Sequence, residues 1–333
     1  MSPHTASPTL SVVLTGRNDD YGLGFRDRFF ATLRFNHREL TARGIDHEFV
    51  FVEWAPAPDQ DHLSDLVFRE VPELSPDVFR AVVVDPAYQE ALSLNPRLAY
   101  LEFIAKNVGI RRARGEFVLT SNCDVILGRA ILRTLEEQRL THGVVYRAAR
   151  HDLKLATDHT NLDWPTLEDP RNLDGQAPQL KPPLMGGGTG DFVMLDRETF
   201  VELRGFNEVY RVARIGIDYN FLVKAFSSGV DIADIGGPVY HINHAGSYRL
   251  TRMVYQNRES EAPWGNRRWH KHGVVYHNPA TWGLATAPTH EQGAGRSFLR
   301  FSWNAVPPLV DLRRVVLPVN RVGRPELRRV VSR

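Results

Sequence analysis

Four places in this 333-residue chain carry residues suited to chemistry: Asn122-Cys123-Asp124, Asp191 after the glycine run Gly186 to Gly190, Asp218 in Gly-Ile-Asp, and His241-Ile242-Asn243-His244. The tripeptide follows Glu116 to Thr120, a short apolar run that reads as a buried strand. Asp124 therefore falls at a strand's C-terminal end, where open α/β sheets bind their ligands. One carboxylate is enough to hold a magnesium-type cation when phosphate oxygens complete its shell. The same tripeptide also suits a turn or a helix N-cap. Asp218 precedes Tyr219-Asn220-Phe221-Leu222-Val223 and reads as a helix start, a place for a general base or for a capping carboxylate. Two imidazoles in His-Ile-Asn-His are potential metal ligands, although a single histidine is more often a satisfied core or surface residue.

The elements that must position these residues can be read from the hydrophobic pattern. Leu10 to Thr15 is a first strand ending in the polar loop Gly16-Arg17-Asn18-Asp19-Asp20, and Phe25 to Arg43 repeats its apolar residues at helical spacing. Glu48 to Glu53 and Ala81 to Val84 are further strands, and a helix from about Leu98 to Arg112 leads to the strand before Asn122. Strands alternating with helices predict an α/β fold with a mostly parallel central sheet flanked by helices. Thr15, Arg17, Asp19, Glu53 and Asp85 end the first three strands, and Lys106, Asn107 and Arg111 lie on the helix before the Asp124 strand. Cations on that helix can face a phosphate or simply a solvated surface. Asp152 to Pro183 is rich in Pro, Asp and Asn without periodicity and reads as a long loop, a length usually reserved for function.

Ala105 to Leu127 (AKNVGIRRARGEFVLTSNCDVIL) resembles the N-A-G…A-x-G-E-x-[ILV]-x-x-x-D-x-D stretch of nucleotide-sugar-dependent glycosyltransferases of the family-2 type. Gly186 to Glu208 (GGGTGDFVMLDRETFVELRGFNE) resembles their acceptor region, and the likeness spans roughly residues 10 to 250. It implies the A-type glycosyltransferase fold, with a Rossmann-like nucleotide-binding half at about 8–127, an acceptor half at about 143–250, and a C-terminal extension over 251–333. It further implies transfer of a sugar from a nucleotide-diphosphate sugar, a UDP-sugar favoured, to a hydroxyl of a saccharide or glycolipid, with inversion.

By the same resemblance, Asp124 with His244 or His241 holds Mn²⁺ or Mg²⁺, and Asp218 is the base, with Asp191 as a second candidate or a hydrogen-bond acceptor for the acceptor sugar. Thr15, Arg17, Asp19, Glu53 and Asp85 then bind base and ribose, Lys106 and Asn107 contact the nucleotide, and the 152–183 loop covers the sugar. Two positions depart from the family pattern: Asn122 stands where those enzymes carry the first Asp of Asp-x-Asp, and Glu53 replaces a more usual Asp. The Asn122 departure removes one negative charge from the site and keeps a hydrogen bond to a ribose hydroxyl possible. The glycine run is not a phosphate loop, since no Lys-Ser/Thr follows it.

Composition excludes several classes. With 42% apolar and 24% charged residues the chain can bury a full α/β core. No run approaches the roughly 18 apolar residues of a membrane span, and the N-terminal residues lack the pattern of a signal peptide. A single cysteine, Cys123, excludes an intrachain disulfide and fits a reducing cytoplasm. Net charge is +2, yet from Gly293 onward nine Arg face Asp311 and Glu326, a balance of +7 that leaves −5 for the rest. The stretch of that tail from Val306 onward, interleaved with Leu, Val and Pro, suits peripheral contact with an anionic membrane, a subunit contact or solvent; the lack of aromatics in that stretch speaks against nucleic acid. Trp264, Trp269 and Trp282 are candidates for sugar stacking or for the core. Two rival readings remain: a non-catalytic binding or scaffold protein, supported by Asn122, and a sugar-phosphate nucleotidyltransferase, which would need a G-x-G-T-R-L-type loop where Gly16 to Gly24 has none.

Overall fold

Leu10–Gly16 (β1) is buried at every position, the pattern of a strand covered on both faces. In the computed structural model, which describes residues 8–19, 23–96, 98, 100–175, 179–186, 190–211, 216–244, 277–293 and 295–308, β1 lies in a ten-stranded sheet. The N-terminal half follows as α1 (Phe25–Ala42), β2 (His47–Trp54), α2 (Leu63–Glu70), β3 (Phe79–Val84), α3 (Pro86–Leu92), α4 (Glu102–Arg112) and β4 (Phe117–Thr120). Then come β5 (Val125–Leu127), α5 (Arg129–Glu136), β6 (Val144–Asp152), α6 (Trp164–Glu168), β7 (Val193–Asp196), α7 (Arg197–Glu202), α8 (Ile217–Ser227), β8 (Asp231–His241), β9 (Thr289–Gln292) and β10 (Arg296–Leu299).

The sheet order is β5-β8-β6-β7-β4-β1-β2-β3-β10-β9. β1 pairs in parallel with β2 on one side and β4 on the other, and β2 pairs in parallel with β3. The chain thus steps outward from β1 through β3 and then returns to the far side of β1, which makes the β1/β4 boundary a topological switch point. Beyond β4 the sheet is mixed: β4–β7, β6–β7 and β5–β8 are antiparallel, while β6–β8 is parallel.

Alternation along each strand fills both faces. Leu10, Val12 and Leu14 of β1 pack with Phe29, Leu33 and Leu40 of α1 and with Leu63 and Val67 of α2. Val13 packs with Val50, Phe103 and Ile110 on the opposite face, where Val52 joins Ile104, Ala105 and Val108 of α4. Each fully buried side chain of this size contributes about 1.5–3 kcal/mol relative to exposure.

Two regions differ from the sequence reading. The 152–183 segment carries α6, a 3₁₀ turn at Pro170–Asn172 and a bridge between Leu153 and Leu173. Leu153, Leu162 and Leu167 anchor it in a cluster with Phe35, Ile126 and Tyr240, so scattered leucines without periodicity still buy it an ordered path. The segment read as a C-terminal extension is, in its described part, built into the sheet: β10 pairs in parallel with β3, and β9 forms the edge. Trp282, Leu284, Ala287 and Leu299 are buried, which removes Trp282 from the sugar-stacking candidates. Four-residue strands of mixed polarity carry too little periodicity to be seen in sequence. Trp264, Trp269 and the tail beyond residue 308 lie outside the described residues.

Gly115, between α4 and β4, abuts β1 backbone. Its N–H donates to Ser11 Oγ at 2.8 Å, and a Cβ there would come 2.5 Å from Ser11 N. Gly115→Ala should therefore shift backbone and lower stability by about 1–3 kcal/mol, read as a reduced urea midpoint; an unchanged midpoint would show that the β1–β4 packing is looser than this contact.

Candidate functional site

Backbone pairing sets the centre of the site. β5 begins directly after Asp124 and pairs Val125 with His241, and the Ile242 N–H donates to the Asp124 carbonyl at 2.9 Å. On the other edge of β8 the ladder with β6 slips between Arg147 and Ala149, where β8 advances four residues for two on β6. Gly236, at φ 88°, lies in that slip, a backbone conformation that favours glycine. Without the slip Asp152 would oppose Val239; with it, Asp152 opposes His241. Asp124, Asp152 and His241 are thus side by side at the end of the sheet where β1 and β4 deliver their loops.

The side chains of Asp124, His241 and His244 converge there, all buried, with ligand atoms within 4.8 Å of one another. Asp124 Oδ2 lies 3.6 Å from Nε2 of His241 and 3.6 Å from Nε2 of His244. These gaps exceed a good hydrogen bond and suit donor atoms arranged around a shared ion. His241 Nδ1 is 2.7 Å from Asp152 Oδ1, and since an ionised carboxylate only accepts, Nδ1 carries the proton and Nε2 faces the cluster. A carboxylate behind a ligating histidine is the usual outer shell of a metal site.

Burial alone would push the Asp124 carboxyl up, yet His241, His244 and Arg28 together hold it well below the carboxylate range. Burial would likewise lower His241, but Asp124 and Asp152 raise it to about 9. Arg28 Nε stands 3.5 Å from the same Asp124 Oδ2.

A frame of hydrogen bonds continues from Asp152. Arg150 spans Asp152 (Nε to Oδ1, 3.2 Å) and Asp191 (Nη1 to Oδ2, 2.6 Å). Asn122 Nδ2 donates to Asp191 Oδ1 at 2.5 Å, and Lys106 Nζ donates to Asn122 Oδ1 at 3.0 Å and to Glu102 Oε1 at 2.8 Å. Lysine only donates, so it fixes the carbonyl end of Asn122 and aims the amide at Asp191. An aspartate at 122 could not donate, and would set two carboxylates against each other. Asn122 is thus the residue type that this pair of bonds requires.

Asp218, half-buried in the first turn of α8, packs on Gly190, where a Cβ would come 2.9 Å from its Oδ2. Arg147, buried on β6, donates from Nη1 to the Phe192 carbonyl at 3.1 Å. Burial lowers its pKa, and the Asp218 and Asp191 charges raise it, so Arg147 joins the two carboxylates electrostatically.

The remaining sequence candidates divide. Thr15, Arg17 and Asp19 end β1 beside the switch point, with Arg17 and Asp19 paired at 3.2 Å. Lys106 is fully buried and donates three times inside the protein, the third to the Gly190 carbonyl at 3.4 Å, and so braces the frame. Asn107 is held inside the protein as well: its Nδ2 donates to the Phe206 carbonyl and Glu208, its Oδ1 accepts from the Phe206 N–H, and Gly205 at φ 62° packs on it. Glu53 is fully buried and caps α2, accepting from the Leu63 N–H at 2.7 Å and from Ser64. Asp85 caps α3 through the Ala87 N–H at 2.9 Å. Arg111 donates to the Ala280 carbonyl and lies over the Trp282 ring. Sequence reasoning missed Arg28, Arg147, Arg150 and Asp152. Asp152 alone had a signal, a carboxylate ending a strand; the arginines sit within apolar-patterned elements, where nothing local marks them.

No family model matches the sequence, and no curated protein is similar to it. Among solved structures, the crystal structure of GalNAc-T7 with UDP, GalNAc and Mn²⁺ is similar over 72% of this chain and 44% of that chain, with a TM-score of 0.44 and 13% identity. The chain thus spans less than half the length of that structure.

The raised His241 fixes a pH signature. Its folded-state value of about 9 lies above the ordinary 6.5, so its stabilising proton is fully present below pH 6.5 and is lost as pH rises through 9. The metal-free protein should lose thermal stability across that window, His241→Ala should flatten the loss, and Mn²⁺, which replaces the proton, should stabilise more at pH 8.5 than at pH 6.5. A Mn²⁺-induced shift in melting temperature that is equal at both pH values would exclude His241 as the exchanging ligand.

Proposed function

We propose that the chain is a metal-dependent glycosyltransferase with the A-type fold, which moves a sugar from a nucleotide-diphosphate sugar, a UDP-sugar favoured, to a hydroxyl of a saccharide or glycolipid acceptor with inversion. One observation carries the reading: Asp124, His241 and His244 converge, backed by Asp152, at the C-terminal sheet edge beside the β1/β4 switch point. That is where an open α/β sheet receives a nucleotide. The donor set fits a divalent ion, and two imidazoles with one carboxylate suit a first-row transition-metal ion, which we take to be Mn²⁺, better than Mg²⁺, which prefers oxygen ligands throughout. A cation held there would neutralise charge developing on the departing nucleoside diphosphate.

The chain's own residues supply the rest. The loop after β1, with Thr15, Arg17 and Asp19, lies beside the switch point and would receive the nucleotide. Asp218 would take the proton of the acceptor hydroxyl as its oxygen bonds to the sugar's anomeric carbon and the bond from that carbon to the diphosphate breaks. Asp191, held by Asn122 and Arg150, would accept a hydrogen bond from the acceptor sugar. Among the described residues no helix is long and apolar enough to cross a membrane. We infer a cytoplasmic protein whose Arg-rich tail, by its composition, would suit peripheral contact with an anionic membrane face where a lipid-linked acceptor is presented.

Thermal shifts with UDP, GDP, CDP and dTDP, with and without Mn²⁺, Mg²⁺, Zn²⁺ or Fe²⁺, test the reading. One nucleotide with Mn²⁺ should raise the melting temperature, and Asp124→Ala should abolish that rise. Asp218→Asn should leave the rise intact while lowering transfer about 10²–10⁴-fold. No stabilisation by any nucleotide at millimolar concentration would favour a non-catalytic scaffold instead.

A further inference from the structure

Three groups face one oxygen. Asp124 Oδ2 is approached by Nε2 of His241 and of His244 at 3.6 Å and by Nε of Arg28 at 3.5 Å. The imidazoles can give up a proton and offer a lone pair, but a guanidinium stays charged and has none to offer. Arg28 therefore cannot ligate a metal, yet it places a fixed positive charge within the set of residues that would hold one.

Its position is built in. Arg28 lies in the first turn of α1 and is 2% exposed, and its Nη1 donates to the Leu23 carbonyl at 2.6 Å. Leu23 belongs to the loop that follows β1, so the guanidinium is tied to the backbone beside the switch point. A cation arriving alone would have to share Asp124 with this neighbour. A cation arriving with a diphosphate would bring anionic oxygens that suit the planar fork of a guanidinium.

We infer that Arg28 makes a divalent cation and a diphosphate bind as a unit: it opposes the bare ion and, once the pair arrives, takes a phosphate oxygen as its partner. This rests on the metal reading above and adds a residue and a binding order to it. The coupling must be reciprocal, so the ion raises diphosphate affinity by the factor by which diphosphate raises the ion's.

Equilibrium dialysis tests it without an acceptor or any turnover, with protein-bound Mn²⁺ measured at matched free Mn²⁺, with and without inorganic pyrophosphate. In the native chain pyrophosphate should raise Mn²⁺ affinity about tenfold or more. Arg28→Gln should bind Mn²⁺ alone several-fold more tightly and lose most of the coupling. Arg28→Lys, which keeps the charge without the fork, should bind the bare ion as weakly as the native chain and show intermediate coupling. A merely structural arginine would weaken both measurements together. If Arg28→Gln binds bare Mn²⁺ no more tightly than the native chain, or its coupling is unchanged, the inference fails while the metal site stands, and Arg28→Lys decides the same point should the glutamine variant not fold. If Mn²⁺ binds no form, or binds Asp124→Ala equally well, the metal reading fails and takes the inference with it.

Discussion

A run of alternating charges and dipoles crosses the molecule from Glu102 through Lys106, Asn122, Asp191, Arg150, Asp152 and His241 to Asp124, with His244 and Arg28 closing its far end. Much of it is buried, where an unpaired charge is costly, so each member is tolerable only because its neighbours have the opposite sign or the matching donor. The run visits α4, the turn between β4 and β5, the start of β7, and the ends of β6 and β8. It is therefore also a clamp: the parallel and mixed halves of the sheet meet along it. A defect at one end propagates, because removing any one charge leaves the next one buried without its partner.

The backbone makes this run possible before any side chain acts. The slip in the β6–β8 ladder brings Asp152 level with His241, and the β5–β8 pairing brings Asp124 to the same level. Three strands far apart in sequence thereby deliver an acid, an imidazole and a second acid to one point. The glycines serve the same end through space: Gly115 lets β4 lie close to β1, and Gly190 lets Asp218 pack against the strand start that carries Asp191.

The site combines groups that can change their proton with groups that cannot. The imidazoles of His241 and His244 can offer a lone pair to a metal, whereas the guanidinium groups of Arg28, Arg147 and Arg150 have none to offer. Their arrangement separates an end around Asp124, His241 and His244 from an end around Asp191 and Asp218. Arg150 pairs directly with Asp191, and the charges of Asp191 and Asp218 both act on the buried guanidinium of Arg147.

Much of the N-terminal half was legible in the amino-acid sequence. Its strands are continuous apolar runs and its helices keep a clear period, so α1, β1, β2 and β4 fall within a residue or two of the expected bounds. Local signals also marked Asp124, His241 and His244, since residue type and position at strand ends can be read along a chain. The use of each polar residue could not be read so. Lys106, Asn107, Glu53 and Asp85 have the types that bind nucleotides, and only the tertiary structure shows the helix and loop contacts that each of them makes. Arg28, Arg150 and Asp152 acquire meaning through contacts spanning up to 96 residues, and the β9–β10 hairpin through pairing with a strand more than 200 residues earlier. Sequence by itself determined the periodicity, and with it the layers and the strand ends where chemistry could sit. Tertiary structure decided which charges face each other there, because a charge acts on whatever lies within a few ångströms, however far away along the chain.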